Sequence, residues 1–163
     1  MKISLLAILL AACASASAGP NAPAPGPAAP PAACAATGTP IVEIDHEVVK
    51  DAALPTSQTK VFASGAWQTT GKDEKGKPVP AQSGCLDKAS LATITSALEA
   101  APWTIKHNRF HCMMVGQTFT VYRVNGKQVW LAKVCNSESL DDASTKSIAS
   151  IESTLIAAKA MTK

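Results

Sequence analysis

Thr118-Phe119-Thr120-Val121-Tyr122-Arg123-Val124-Asn125-Gly126-Lys127-Gln128-Val129-Trp130-Leu131-Ala132-Lys133-Val134 reads as two β-strands joined by a two-residue turn. Asn and Gly tolerate the positive φ that a type I′ turn needs at both central positions, and β-branched and aromatic residues fill the flanks. Val124 then faces Lys127. Counting outward without a bulge puts Phe119, Val121 and Trp130 on one side and Tyr122, Val129 and Leu131 on the other. Neither side is cleanly polar, which implies an exposed aromatic surface or an enlarged core.

The neighbouring segments extend this hairpin into a meander, with a further strand from Phe110 to Val115 and a turn at Gly116-Gln117. Asp87 to Ala101 has helical spacing through Leu91, Ile94, Leu98 and Ala101, with Asp87 as cap and Pro102 as stop. Asp141 to Ala160 repeats the pattern through Ile148, Ile151, Leu155 and Ala158, with Asp141 or Asp142 near its start. Ile41 to Val48 alternates, with Val42, Ile44, His46 and Val48 on one face and Ile41, Glu43, Asp45 and Glu47 on the other. Lys60 to Thr70 reads as one strand in which Gly65 suggests a bulge or close packing, followed by the charged turn from Gly71 to Lys77. Pro78 and Pro80 allow a returning segment only as an edge strand. The order β-β-α-β-β-β-α predicts an α+β domain: an antiparallel sheet of about five strands with both helices on one face.

The N-terminus carries Lys2, an apolar run from Ile3 to Leu10, and small residues at Ala16 and Ala18, the pattern of a secretory signal ending at residue 18. The run is shorter than the roughly 18 to 20 residues that span a hydrocarbon core. Residues 19–40 hold seven of the eleven prolines and otherwise mainly alanine and glycine. Such a segment buries too little apolar surface to offset its ordering entropy and is expected to be a disordered, extended linker. Residues 41–163 are then a single globular domain. The net charge of +3 is spread, with Lys72, Lys75 and Lys77 as the one local cluster, so nucleic acid is not an expected partner.

Beyond Cys13 the chain has Cys34, Cys85, Cys112 and Cys135. An even set in an exported protein reads as two disulfides with three possible connectivities. The preferred pairing is Cys85 with Cys112, clipping the first helix to a strand, and Cys34 with Cys135.

Three resemblances add to this. Leu10-Ala11-Ala12-Cys13 resembles the bacterial lipobox, which implies cleavage after residue 12, acylation of Cys13 and, with Ala14 following, retention at the outer membrane. The runs Lys60 to Trp67, Ser83-Gly84-Cys85-Leu86, Ala101-Pro102-Trp103, His111-Cys112-Met113 and Gly126-Lys127 resemble small exported bacterial domains of myxobacterial type. Ser64-Gly65-Ala66-Trp67 and the order of elements are also similar to emfourin-type protease inhibitors, which implies a partner-binding rather than a catalytic role.

The chemistry-bearing residues are few. His107, His111 and Cys112, with His46, are the densest metal-capable group, but residues four apart on a strand lie about 13 Å apart, too far to share an ion. Ser64 lacks the glycines of a nucleophile elbow. Glu43, Asp45 and Glu47 form a carboxylate row of a kind that can bind a cation or act in acid chemistry, and it reads first as a solvated face. No catalytic, cofactor or metal residue is assigned. The loop bearing Lys72, Lys75 and Lys77 is the candidate interaction site, since a charged tip carried on two strands suits a partner's cleft. The expected function is that of an exported, lipid-anchored envelope protein that binds an unknown protein partner without catalysis, with protease inhibition its most specific form. The alternatives are a structural envelope lipoprotein and, further off, a metal-binding protein or enzyme.

Overall fold

The computed structural model describes residues 34–48, 55–107, 118–133 and 137–161. The elements run β1 (Val42–Val48), β2 (Thr56–Val61), β3 (Ala66–Lys72), β4 (Pro78–Cys85), α1 (Lys88–Ala100), β5 (Ile105–His107), β6 (Thr118–Val124), β7 (Lys127–Lys133), β8 (Glu138–Leu140) and α2 (Asp142–Ala157). Six strands form one antiparallel sheet in the order β4-β3-β2-β1-β6-β7, and β5 pairs with β8 in a separate ribbon. The α+β class with an antiparallel sheet holds, with more strands than expected. The expected strand from Phe110 to Val115, the leader and most of the linker lie outside the described residues.

One extra strand comes from Lys60 to Thr70, which lies on two strands, β2 and β3, and not one; β5 and β8 are further ones. Phe62 and Ala66 close a three-residue loop, with Phe62 N–H donating to Ala66 O at 2.8 Å and Gly65 N–H to Phe62 O at 2.9 Å. Gly65 has φ +83°, the left-handed position that this loop type demands, so the bulge glycine belongs to a hairpin turn and not to the middle of one strand. The next hairpin repeats the device: Asp73 and Lys77 flank Glu74-Lys75-Gly76, and Gly76 has φ +74°. The returning strand β4 is an edge strand, as Pro78 and Pro80 require.

Both helices pack on one face. Val42, Ile44, Val61 and Trp67 from the sheet meet Ile94 of α1 and Ile151 and Leu155 of α2 in one buried cluster. Each fully buried Leu or Ile contributes about 1.5 to 3 kcal/mol, so this cluster is the main driving force for the fold. Gly84 sits opposite Trp67 in the β3–β4 register, and a Cβ there would stand 2.7 Å from the indole ring. The Trp67 indole therefore occupies the space that any side chain at position 84 would need.

The Asn125-Gly126 turn is present, with φ +49° and +76° and Val124 opposite Lys127. The register then shifts between Tyr122 and Arg123, which pairs Tyr122 with Trp130 and Val121 with Leu131. The irregularity moves Trp130 to the face of Tyr122 and Leu131 to that of Val121, reversing the expected sides. Tyr122 O–H donates to Glu152 Oε1 at 2.7 Å and so joins β6 to α2.

Away from the helices, the sheet carries a charged row. Glu43 faces Lys60 on β2 and Arg123 on β6. Lys60 lies 3.6 Å from Glu43, while Arg123 Nη1 donates to Glu43 Oε1 at 2.9 Å and to Asp45 Oδ2. Asp45 is 5% exposed, so it is buried and not solvated as its row suggested.

Asp87 and Asp141 cap the helices by accepting from the amides of Ser90 at 2.7 Å and Ser144 at 2.9 Å. The Ser90 amide, then its hydroxyl, holds Asp87 below the usual carboxylate range. The Ser144 hydroxyl, then its amide, pulls Asp141 to about 2. Asp141 also accepts from Thr104 N–H, and Ser144 Oγ accepts from Trp103 N–H, which docks the segment after α1 on the start of α2.

Removing Arg123 leaves the buried Asp45 carboxylate without its cation. Arg123→Leu is expected to destabilise by about 3 kcal/mol, and Lys60→Leu by less than about 1 kcal/mol because that pair is more exposed; denaturant unfolding of the two variants reads the difference. Burial first, then the Glu152 hydrogen bond and charge, push the Tyr122 phenol above its ordinary range. A proton held more tightly in the folded state stabilises fully below the unfolded pKa of about 10, and that contribution is lost as pH rises above it. Tyr122 is the chain's one tyrosine, so tyrosinate absorbance in an alkaline titration should appear only well above pH 10 or together with unfolding.

Candidate functional site

The β3–β4 hairpin places Lys72, Lys75 and Lys77 at one end of the sheet. Lys72 closes β3, Lys75 sits in the loop and Lys77 begins the return; all three are exposed. Exposure is continuous from Glu74 to Ser83, so almost the whole of β4 faces solvent along with the tip. This expected interaction loop is thus carried on two paired strands.

The tip is ordered by Asp73. Its Oδ1 accepts from the amides of Lys75 at 2.8 Å and Lys77 at 2.9 Å, while its own N–H donates to Lys77 O at 2.9 Å. A carboxylate that folds back on the amides of its own loop offsets the entropy of a charged turn. The lysine side chains keep their freedom while the backbone beneath them is held.

The base of the hairpin is covalently closed. Cys85, the last residue of β4, is bonded to Cys34 with Cα atoms 5.9 Å apart. This overturns the preferred Cys85–Cys112 and Cys34–Cys135 pairings, because Cys34 and Cys85 use one another; Cys112 and Cys135 lie outside the described residues. The spacing argument missed this bond because β3–β4 is a strand pair of its own, which brings Cys85 back beside the turn that Cys34 covers. Cys34 is buried with Phe62 and Ala66, Ala36 packs on the same group, and Ser64 Oγ donates to Ala35 O at 2.7 Å. Residues from Cys34 onward therefore belong to the domain, although their composition matches the linker. In the chain-entropy model, a bridge across 51 positions stabilises by about 4 kcal/mol.

Other candidate residues are dispersed. His46 is on β1, where Thr120 Oγ1 lies 2.8 Å from its Nδ1. His107 is on β5 in the other sheet, with Nδ1 3.4 Å from Glu138. His111 and Cys13 lie outside the described residues. Among the described residues, no three His, Cys, Asp or Glu side chains are grouped to hold a metal, and no helix is long and apolar enough to cross a membrane. Ser64 braces the β2–β3 turn through Ala35, and Ala66 N–H reaches its Oγ at 3.3 Å, which is a structural use of that hydroxyl.

No protein-family model, curated protein or solved structure matches this chain. The likeness to exported bacterial domains and to emfourin-type inhibitors therefore rests on the quoted residues alone.

Proposed function

We propose that this chain is an exported, non-enzymatic module that binds a protein partner, anchored to the outer membrane through an acylated Cys13, and that protease inhibition is its specific activity. The observation that carries the reading is the β3–β4 hairpin. Its tip bears three exposed lysines, its turn is clasped by Asp73, and its base is cross-linked at Cys85. Preorganised loops lose little entropy on binding, and cationic side chains on such a loop guide encounter with an acidic cleft.

The route of the chain supports the same arrangement. The proline-rich linker reaches the domain at Cys34, beside the base of the hairpin. β4 spans eight residues from there to Pro78, about 25 Å at the rise of an extended strand. The lysine tip therefore stands at the far end of the sheet from the linker. On a lipid-anchored protein it would face away from the attachment point, with two or more acyl chains needed to make the anchoring stable.

Two measurements test the proposal. The mature protein, assayed against a panel of secreted proteases at micromolar concentration, should inhibit at least one, and Lys75→Glu should weaken that inhibition; no inhibition across the panel rejects the inhibitor reading. The intact mass should equal that of a chain beginning at Cys13 plus its lipid; a mass beginning at Gly19 without lipid rejects the anchor.

A further inference from the structure

We infer that the cavity on the helix-free face of the sheet, over β1, β2 and β3, is a binding site for a free amino acid, held as its zwitterion. The site goes beyond the protein-binding reading and shares only Lys72 with the hairpin tip.

Strand alternation sets the walls. Val42 and Ile44 of β1, Val61 of β2 and Trp67 of β3 point toward the helices, so the residues that alternate with them point the other way. On that second face Asp45, Gln58 and Thr70 are register partners across the three strands, and Thr56 with Lys72 forms the next row beside Glu47. All six line a cavity of about 310 Å³, at the small end of the range for small-molecule sites.

Two features point to a ligand. Asp45 Oδ1 is the one buried side-chain nitrogen or oxygen among the described residues with no hydrogen-bond partner, since Arg123 engages Oδ2. The Asp45 side chain is only 7% exposed, and a buried carboxylate oxygen without a donor carries its full desolvation cost. In addition, the side chains of Glu47, Thr56, Gln58, Thr70 and Lys72 have no hydrogen-bond or ionic partner among the described residues. Glu47, Thr56 and Gln58 are nevertheless half-buried. One cavity therefore gathers an orphaned carboxylate oxygen and five uncommitted polar side chains.

The charges divide across the cavity. Both carboxylates belong to β1 and the Lys72 ammonium to β3, with neutral Thr56 and Gln58 on β2 between them. A ligand ammonium brings three N–H donors, which match Asp45 Oδ1, Glu47 and the Gln58 side-chain carbonyl. A carboxylate on the same ligand then meets Lys72 and the hydroxyls of Thr56 and Thr70. The sheet sets the span. β1 and β3 are two strand spacings apart, about 9.5 Å, and a charge-assisted bond of about 2.8 Å at each end leaves about 4 Å between the ligand's nitrogen and its carboxylate. One amino acid covers that distance, whereas an extended tripeptide reaches about 10 Å. A divalent cation suits the cavity less well, because Lys72 opposes it and no three His, Cys, Asp or Glu side chains are grouped among the described residues.

The test is a titration of the isotope-labelled mature chain, disulfide intact, with each free L-amino acid in turn, followed by backbone amide NMR. At least one should give saturable shifts at Asp45, Glu47, Gln58, Thr70 and Lys72. Its N-acetyl derivative, which lacks the ammonium, and its amide, which lacks the carboxylate, should each bind about tenfold more weakly or worse. Glu47→Gln and Lys72→Met should weaken binding by a similar factor; neither side chain has a partner to lose, so both variants keep the dispersed amide spectrum of the fold. Lys127→Met, at the β6–β7 turn, should bind as before. No saturable shift with any amino acid, equal binding of a blocked derivative, tighter binding of trialanine, or the same shifts from calcium chloride would each overturn the inference. A silent cavity in a protein that still inhibits a protease rejects the amino-acid site alone, whereas amino-acid binding by a protein that inhibits none rejects the inhibitor reading alone.

Discussion

Val42 to His46 is paired along both edges, to β2 on one side and β6 on the other, and every larger feature is arranged around that double pairing. Because side chains alternate along a strand, one face of β1 sends Val42 and Ile44 into the helices, and the other sends Glu43 and Asp45 toward Arg123. The strand joins two parts that are distant in sequence: the meander β1 to β4 and the hairpin β6–β7. A one-residue slip would place Glu43 and Asp45 in the apolar core and Val42 and Ile44 on the charged row. The burial of Asp45 beside Arg123 adds to that penalty, since a carboxylate out of water without its cation is costly.

The chemistry proposed for this protein follows from the parts of the sheet that its helices leave uncovered. β3 and β4 run on to the turn at Asp73, and their hairpin carries the exposed lysines. Thr59 and Thr69 hold the end of α2 in place from below, and Cys34–Cys85 closes the other end of the same strand pair. The interaction region is thus held at the clasped Asp73 turn, at the Ala160 carbonyl and at the disulfide, which reduces the conformational entropy lost when a partner docks.

Much of this architecture is legible in the residues. Asp87 announces the start of α1 because its carboxylate satisfies amides that have no helical partner, and Asp141 or Asp142 marks the start of α2, where the structure makes Asp141 the cap. Pro102 announces a helix end, Asn125-Gly126 a hairpin, and Pro78 with Pro80 an edge. The lysine tip is legible too, as charges clustered between glycines. The two-strand nature of Lys60 to Thr70 is less so, because the apolar residues on either side of Ser64-Gly65 fit a bulge as well as a turn. The left-handed Lys159 leaves no signal, since the residue that suits its conformation is glycine and what holds it is the closing bond to Leu155.

The sequence by itself determined the α+β class, the Asp87 cap, two of the three sharp turns and the exposure of the lysine loop, because each rests on interactions among residues near one another in the chain. Tertiary structure decided the pairing of Cys34 with Cys85, the burial of Asp45 and the sides on which Trp130 and Leu131 lie. Those outcomes depend on which strands become neighbours and on a register shift between Tyr122 and Arg123 in the β6–β7 pair, and neither is a property of residues adjacent in the chain.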